Sequence, residues 1–269
     1  MKRLLYVVFI AFTSLVVSYP AFSQQDSSNV ISTTISQDIS LAWRNAGDIA
    51  TSPLHFSQTE WLTVGAIAAG TVVLFSVDEP IRSFAGRNQT RLGDDLSKVG
   101  KGYGGVYGVV ISGGLYAGSL LFNSREFRKT GLLLIESMSF SFVATTVMKG
   151  VIGRSRPFLG NGPRTFTPFQ FHEEATSLPS GHTTAAFAIS SVLSERIKNP
   201  YATVGLYSLA TLTAVARVYE DEHWFSDTVL AAAIGTVLGE AVVNLHEDND
   251  SSSLYLFPTQ NGVRAELRF

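Results

Sequence analysis

No cysteine occurs anywhere in the 269-residue sequence, so disulfide bonds and thiolate metal sites are excluded from its chemistry. Charge is also scarce: Asp, Glu, Lys and Arg make up 16% of residues, against about 25% in ordinary soluble domains. The net charge of -2 offers no electrostatic footprint for nucleic acid, and none is expected as a partner. The chain has no GxxxxGK phosphate loop, no His/Cys spacing of a zinc site and no internal repeat, which sets aside the common nucleotide, zinc and solenoid architectures. What it does have in quantity is apolar residues, at 45%, with many small ones among them. That balance leans toward a membrane-embedded helical bundle.

The first residues, Met1-Lys2-Arg3 followed by the apolar run Leu4 to Val17 and a small-x-small stretch Ala21-Phe22-Ser23, read as a secretory signal over 1–23, or as an uncleaved anchor. Residues 24–59 form an N-terminal extension. Its Ser/Thr/Gln-rich start, to residue 40, is expected to be poorly ordered, with a short amphipathic piece around Ile39 to Ile49. The catalytic domain is expected over 60–246. The tail, 247–269, places Leu254 to Phe257 and Val263 to Phe269 on either side of an Asn-Gly turn, which predicts a β-hairpin.

Between Trp61 and Leu245 six apolar runs predict helices, at about 61–77, 106–122, 132–148, 182–197, 203–218 and 228–245. They are rich in Gly, Ala, Ser and Thr, as close helix packing in lipid favours. Basic residues gather in two connections: Arg125, Arg128 and Lys129, then Arg196 and Lys198. By the positive-inside rule both face the cytoplasm and the intervening turns face outward. A cleaved signal would instead put residue 24 outside, so a re-entrant first helix, a retained anchor and a wholly periplasmic bundle all stay open.

Three clusters carry chemistry. The first is Lys149 with Arg156-Pro157, the second Pro179-Ser180-Gly181-His182, and the third Arg217, His223 and Asp227. Ten specified residues, each with a frequency near 5%, would coincide about once in 10^13 placements. A phosphoryl group in transfer spreads charge over its oxygens and needs fixed cations, which Lys149, Arg156 and Arg217 supply. Ser180 and Gly181 open a predicted helix whose free N–H groups and dipole favour phosphate, and Gly181 admits close backbone approach. His223 and Asp227 stand four apart, so a carboxylate can hold one ring nitrogen and leave the other basic. His223 is then the nucleophile that forms a phosphohistidine. His182 is left to protonate the leaving alkoxide and to activate water. Glu220, Asp221 and Glu222 abut His223, and because carboxylates repel phosphate they are expected to point away. Arg154 is read as touching either the substrate or a lipid headgroup.

With its signatures KxxxxxxRP, PSGH and RxxxxxHxxxD, the stretch from Trp61 to Leu245 resembles the type 2 phosphatidic acid phosphatases, relatives of class A acid phosphatases and vanadium haloperoxidases. The resemblance implies an all-α, six-helix PAP2-type bundle with the motifs after the third helix, before the fourth and at the fifth-to-sixth junction. It implies a phosphatase with the histidine roles just given, no cofactor and no metal. One departure is Ala216, where the family often has Ser before the arginine. The implied substrate is a phosphorylated lipid or small phosphoester, with membrane lipids as neighbours, in the inner membrane with its site toward the periplasm. The competing readings are a soluble periplasmic acid phosphatase, a vanadate-dependent haloperoxidase and a non-catalytic envelope protein. Phe158, Phe166, Phe169 and Phe171 lie between the first two motifs and read either as a lid for an acyl chain or as simple packing.

Overall fold

In the computed structural model, residues 24–251, 254–259 and 262–267 are described. The signal or anchor reading of 1–23 and the Gln260-Asn261 turn of the expected hairpin lie outside them. The chain divides into two compact units, Met1–Leu41 and Ala42–Phe269.

Helix α1 spans Gln24–Thr51, so the polar start of the extension is helical where disorder was expected. The hydroxyls of Ser36 and Ser40 donate to the carbonyls of Thr33 and Ser36 at 2.9 and 2.8 Å, which places polar side chains on helical backbone without exposing it. In the second unit, α2 (Gln58–Leu74) starts at Ser57, whose side chain and Glu60 form a reciprocal capping box. Then come α3 (Asp78–Arg87), α4 (Arg91–Tyr103), α5 (Val106–Phe122), α6 (Arg125–Ile152), α7 (Gly181–Ile197), α8 (Pro200–Tyr219) and α9 (Phe225–Ser251). The six apolar runs correspond to α2 and α5 through α9, but a six-helix count is too low. Helices α3 and α4 are polar and so carry no long apolar run: α3 begins with Asp78 and Glu79, and α4 is started by the Thr90 side chain accepting from the Gly93 N–H. At the C-terminal end, the backbones of Leu254–Thr259 and Gly262–Leu267 pair antiparallel, Leu254 opposite Leu267.

Helix α7 runs through the middle of the bundle, packed on α6, α8 and α9. Leu133 and Leu134 of α6, Ala186, Ile189 and Val192 of α7, Ala210 of α8 and Val242 of α9 form the core. Helices α7 and α9 approach closely because α9 carries Gly235 and Gly239 there: a β-carbon on either would collide with Thr184 or Ser191. Small residues at a helix crossing are the signature of packing without a hydrophobic drive from water.

Three described segments are long and apolar enough to cross a membrane: Arg91–Phe122, Arg125–Ile152 and Phe225–Glu247. The pair Gln58–Leu74 and Asp78–Arg87, bent by 56°, passes the same test together, as a broken span or a re-entrant loop. Several helices also turn apolar side chains outward, among them Val72, Val73, Val109, Val110, Phe142 and Val147. In water that much exposed apolar surface would cause association; in lipid it is the ordinary condition.

The basic clusters gather at one end. Arg196, in the last turn of α7, hydrogen-bonds Thr130 and pairs with Glu126, both near the start of α6. Lys149 lies in the last turn of α6 and His182 in the first turn of α7, so the motifs occupy the opposite end of the same two helices.

Candidate active site

Each motif sits where a helix stops or starts. Helix α6 ends at Gly153, whose φ of +65° closes the last turn through an N–H to Lys149 O bond of 2.9 Å. A β-carbon there would strike the Thr167 carbonyl. The chain then runs extended through Arg154-Ser155-Arg156, between Thr165 on one side, where Ser155 N–H donates, and Ser177 on the other, which donates to the Arg154 carbonyl. Ser180 precedes α7, and its hydroxyl accepts from Thr183 at 3.0 Å. Gly181 is the first residue of that helix, one earlier than the apolar pattern indicated. The third motif folds back at the α8–α9 corner, where the N–H groups of Glu222 and His223 both donate to the Arg217 carbonyl, at 3.1 and 3.2 Å.

These segments meet. The Ser177 carbonyl accepts from His223 Nδ1 at 2.7 Å, and the Ser180 N–H donates to the Asp227 carbonyl at 3.3 Å. Lys149 Nζ donates to the carbonyl of Thr176, the residue before Ser177, at 2.7 Å. Because a carbonyl can only accept, Nδ1 of His223 carries the hydrogen and Nε2 carries the lone pair. Burial holds His223 strongly toward its neutral form, with a pKa pushed down to about 3; Lys149 and Arg156 add to this and Asp227 opposes it. His182 is likewise pushed down to about 4, first by burial and then by the charges of Arg217, Lys101 and Lys149. Lys101 belongs to α4, and no motif pointed to it.

Asp227 is placed differently from the expectation. Its carboxylate lies 3.7 Å from His223 Nδ1, beyond hydrogen-bond range, and is taken up by other donors. Ser177 Oγ donates to it at 2.5 Å, the Trp224 N–H at 2.9 Å and Arg154 Nη1 at 2.5 Å. Arg154 is fully buried and reaches no solvent-exposed surface. Its other arm is bound by Asp78 at 2.7 Å, its face rests 4.1 Å from the Phe75 ring, and Ser226 Oγ accepts from Arg154 while donating to Asp78. Two anions around one guanidinium make this a satisfied buried network. Sequence reasoning missed Asp78 because it lies outside the motifs, 148 residues from Ser226. A buried Asp at the start of a short polar helix was its only signal.

Two of the three acids in the run do not point away from the phosphate-binding arginines. Asp221, at φ +58°, is clamped by both arms of Arg82 at 2.7 and 2.9 Å. Glu220 pairs with Arg217 and accepts from Ser97 Oγ at 2.9 Å. Glu222 pairs with Arg156 and lies 3.5 Å from Arg217 Nη2. Carboxylates repel phosphate, but the same arginines that would hold it also attract Glu220 and Glu222. The Nε of Arg217 is buried and has no hydrogen-bond partner among the described residues. A buried donor left over in a cluster of cations has the form of an anion site.

The sequence pattern of the PAP2 superfamily matches residues 130–251, which contain all three motifs. The chain is 38% identical over 68 residues to a lipid A 1-phosphatase of Porphyromonas gingivalis, a stretch covering 24% of this chain and only 15% of that one. It is 28% identical over 207 residues to a lipid A 1-phosphatase of Rhizobium johnstonii, covering 72% of this chain and 81% of that one. A crystal structure described as the first transmembrane PAP2 type phosphatidylglycerolphosphate phosphatase, from Bacillus subtilis, superposes with a TM-score of 0.52 at 21% identity. That superposition covers 68% of this chain and 95% of that one, and shows a shared fold. The family match over residues 130–251, with the three motifs it contains, makes this part of the chain similar to the PAP2 superfamily.

Proposed function

We propose that this chain is a membrane phosphatase that hydrolyses a phosphomonoester or diphosphate on a lipid through a phosphohistidine. The observation that carries the reading is His223: neutral, with Nδ1 fixed on the Ser177 carbonyl and its lone pair on Nε2, among the charges of Lys149 and Arg156. Nε2 attacks phosphorus, the bond from phosphorus to the leaving oxygen breaks, and His182 gives that oxygen a proton. Water, deprotonated by His182, then attacks the phosphohistidine and releases inorganic phosphate. Burial and the charges of Arg217, Lys101 and Lys149 weaken the hold of His182 on a proton. An arriving dianion offsets the charges of Arg217, Lys101 and Lys149, which restores proton affinity where the leaving group needs it. Lys149, Arg156, Arg217 and the N-terminus of α7 neutralise the phosphoryl oxygens, so the reaction requires no divalent metal.

A lipid substrate is favoured by an apolar groove of about 520 Å³ beside the α8–α9 corner, lined by Phe84, Phe187, Val215, Val218, Phe225 and Val229. The exposed Phe158, Phe169 and Phe171 of the loop after the first motif add apolar surface near the site. Among lipids, the relatives' names favour the 1-phosphate of lipid A. We place the site on the periplasmic side of the inner membrane, supported by the basic residues at the opposite bundle end. The test is phosphate release by detergent-purified full-length chain, in EDTA, from lipid A 1-phosphate, phosphatidate, phosphatidylglycerophosphate, undecaprenyl diphosphate and soluble esters. Release from none of them, or release that requires added Mg²⁺, overturns the reading.

A further inference from the structure

The anion that sits on the phosphate-binding arginines is part of the protein itself. Glu222 pairs through Oε2 with Arg156 and stands 3.5 Å from Arg217 Nη2, bridging the arginines of the first and third motifs. The turn leaves it little freedom. Its N–H is bonded to the Arg217 carbonyl, and the preceding Asp221 is held by Arg82. It also directly precedes His223, so its carboxylate belongs to the same short loop as the proposed nucleophile.

A carboxylate and a phosphoryl group use the same guanidinium N–H donors in the same forked geometry, and both are negative. They cannot share those donors without strong repulsion. The Glu222 side chain is 29% exposed, whereas Arg156 and Arg217 are 10% and 4% exposed. It is therefore the member of the trio that is able to swing into water when phosphate enters. Glu220 does not serve the same end: it is tied to Ser97 and lies 3.7 Å from Lys101 as well as pairing with Arg217.

We infer that Glu222 is a displaceable counter-ion that every phosphate group must evict, and that it determines specificity by weakening small free anions more than anchored substrates. Inorganic phosphate has only its charge with which to compete for the arginines. A phosphate attached to an apolar body has further contacts that offset the eviction. Glu222 thereby speeds release of the product and keeps the site clear of free phosphate. This rests on the phosphatase reading above.

The test compares wild type, Glu222→Gln and Glu174→Gln as full-length protein in detergent. Glu174 is an exposed acid in the neighbouring loop and controls for general charge. Binding of inorganic phosphate is measured directly by calorimetry, alongside competitive inhibition of lipid hydrolysis and thermal unfolding. Glu222→Gln should bind inorganic phosphate about tenfold or more tightly, with a smaller change in KM for the lipid, while Glu174→Gln matches wild type. Should Glu222→Gln lose its fold, Glu222→Ala and Glu222→Ser, which also remove the charge, take its place with the same expectation. Unchanged or weaker phosphate binding by folded charge-removing variants overturns the inference and leaves the phosphatase reading standing. Equal tightening in Glu174→Gln overturns it too, because bulk charge then explains the effect. Wild type that neither releases nor binds phosphate removes both.

Discussion

The ring of His223 is held by the backbone of Ser177, at 2.7 Å from Nδ1 to the carbonyl oxygen. Ser177 is also the residue whose hydroxyl donates to Asp227, 2.5 Å away. One residue thus orients the imidazole with its main chain and fixes the neighbouring carboxylate with its side chain. Asp227 acts on His223 by charge from 3.7 Å and by holding Ser177, and it anchors Arg154 on its far side.

Asp227→Asn should accordingly lower both stability and turnover. It removes one of the two charges that compensate buried Arg154, a loss of about 3–5 kcal/mol for a broken buried pair. Asp78→Asn removes the other charge and should destabilise by a similar amount. It should cost less turnover, because Asp78 has no bond to Ser177. Thermal unfolding and kcat of the two variants check this; Asp227→Asn with wild-type stability would contradict the shared network.

The two histidines should separate by intermediate. His223→Ala leaves no group to form the phosphoenzyme and should reduce phosphate release by about 10^4-fold or more. His182→Ala loses only leaving-group protonation and water activation. With a substrate whose leaving group needs no proton it should accumulate acid-labile phosphoenzyme. Rapid-quench labelling with a phosphorus-32 substrate distinguishes them, and near wild-type turnover in His223→Ala would sink the mechanism.

The candidate residues of the site were far more legible in the sequence than their wiring. Lys149, Arg156, Ser180, Gly181, His182, Arg217, His223 and Asp227 were picked out as the residue types phosphate handling demands. The fold joins Lys149, His223, Ser180 and Asp227 through Thr176, Ser177 and each other, and Arg156 and Arg217 through Glu222. The partners of Asp227 were not legible, since Asp78 and Arg154 join it across long chain separations that no local pattern encodes. Glu222 was misjudged because only its repulsion of phosphate was weighed, and not its attraction to Arg156. For the fold, apolar periodicity located α2 and α5 through α9 but was blind to α3 and α4, which have acidic first turns and, in α4, the Thr90 cap.

Stability should fall in mild acid. Both site histidines have folded-state pKa values below the ordinary 6.5, at about 4 for His182 and about 3 for His223. Above pH 6.5 folded and unfolded chains are alike neutral at these rings, and no linkage arises. As pH falls below 6.5 the unfolded chain takes up protons that the folded chain refuses, so unfolding gains until the folded values are reached. The apparent Tm in detergent should therefore decline from pH 6.5 toward 4, and His182→Asn should flatten part of that slope. An unaltered slope in the variant would show that His182 is not held neutral.

Orientation can be read by single cysteines, since the chain has no background thiol. Asn161, exposed in the loop after the first motif, marks the site end. For the opposite end Asn199 is a poor choice, because its side chain caps α8 by accepting from the Tyr201 and Ala202 N–H groups, and replacing it would cost about 1 kcal/mol. Tyr201, 87% exposed beside it, serves instead. In intact spheroplasts a membrane-impermeant maleimide should label Asn161→Cys at once and Tyr201→Cys only after lysis. By the positive-inside rule, the basic residues at the Tyr201 end, Arg196 with Lys198 and Arg128 with Lys129, lead to this expectation. Labelling of both before lysis would mean the bundle does not span. Labelling of Tyr201→Cys alone would invert it, and would put the substrate phosphate on the cytoplasmic leaflet.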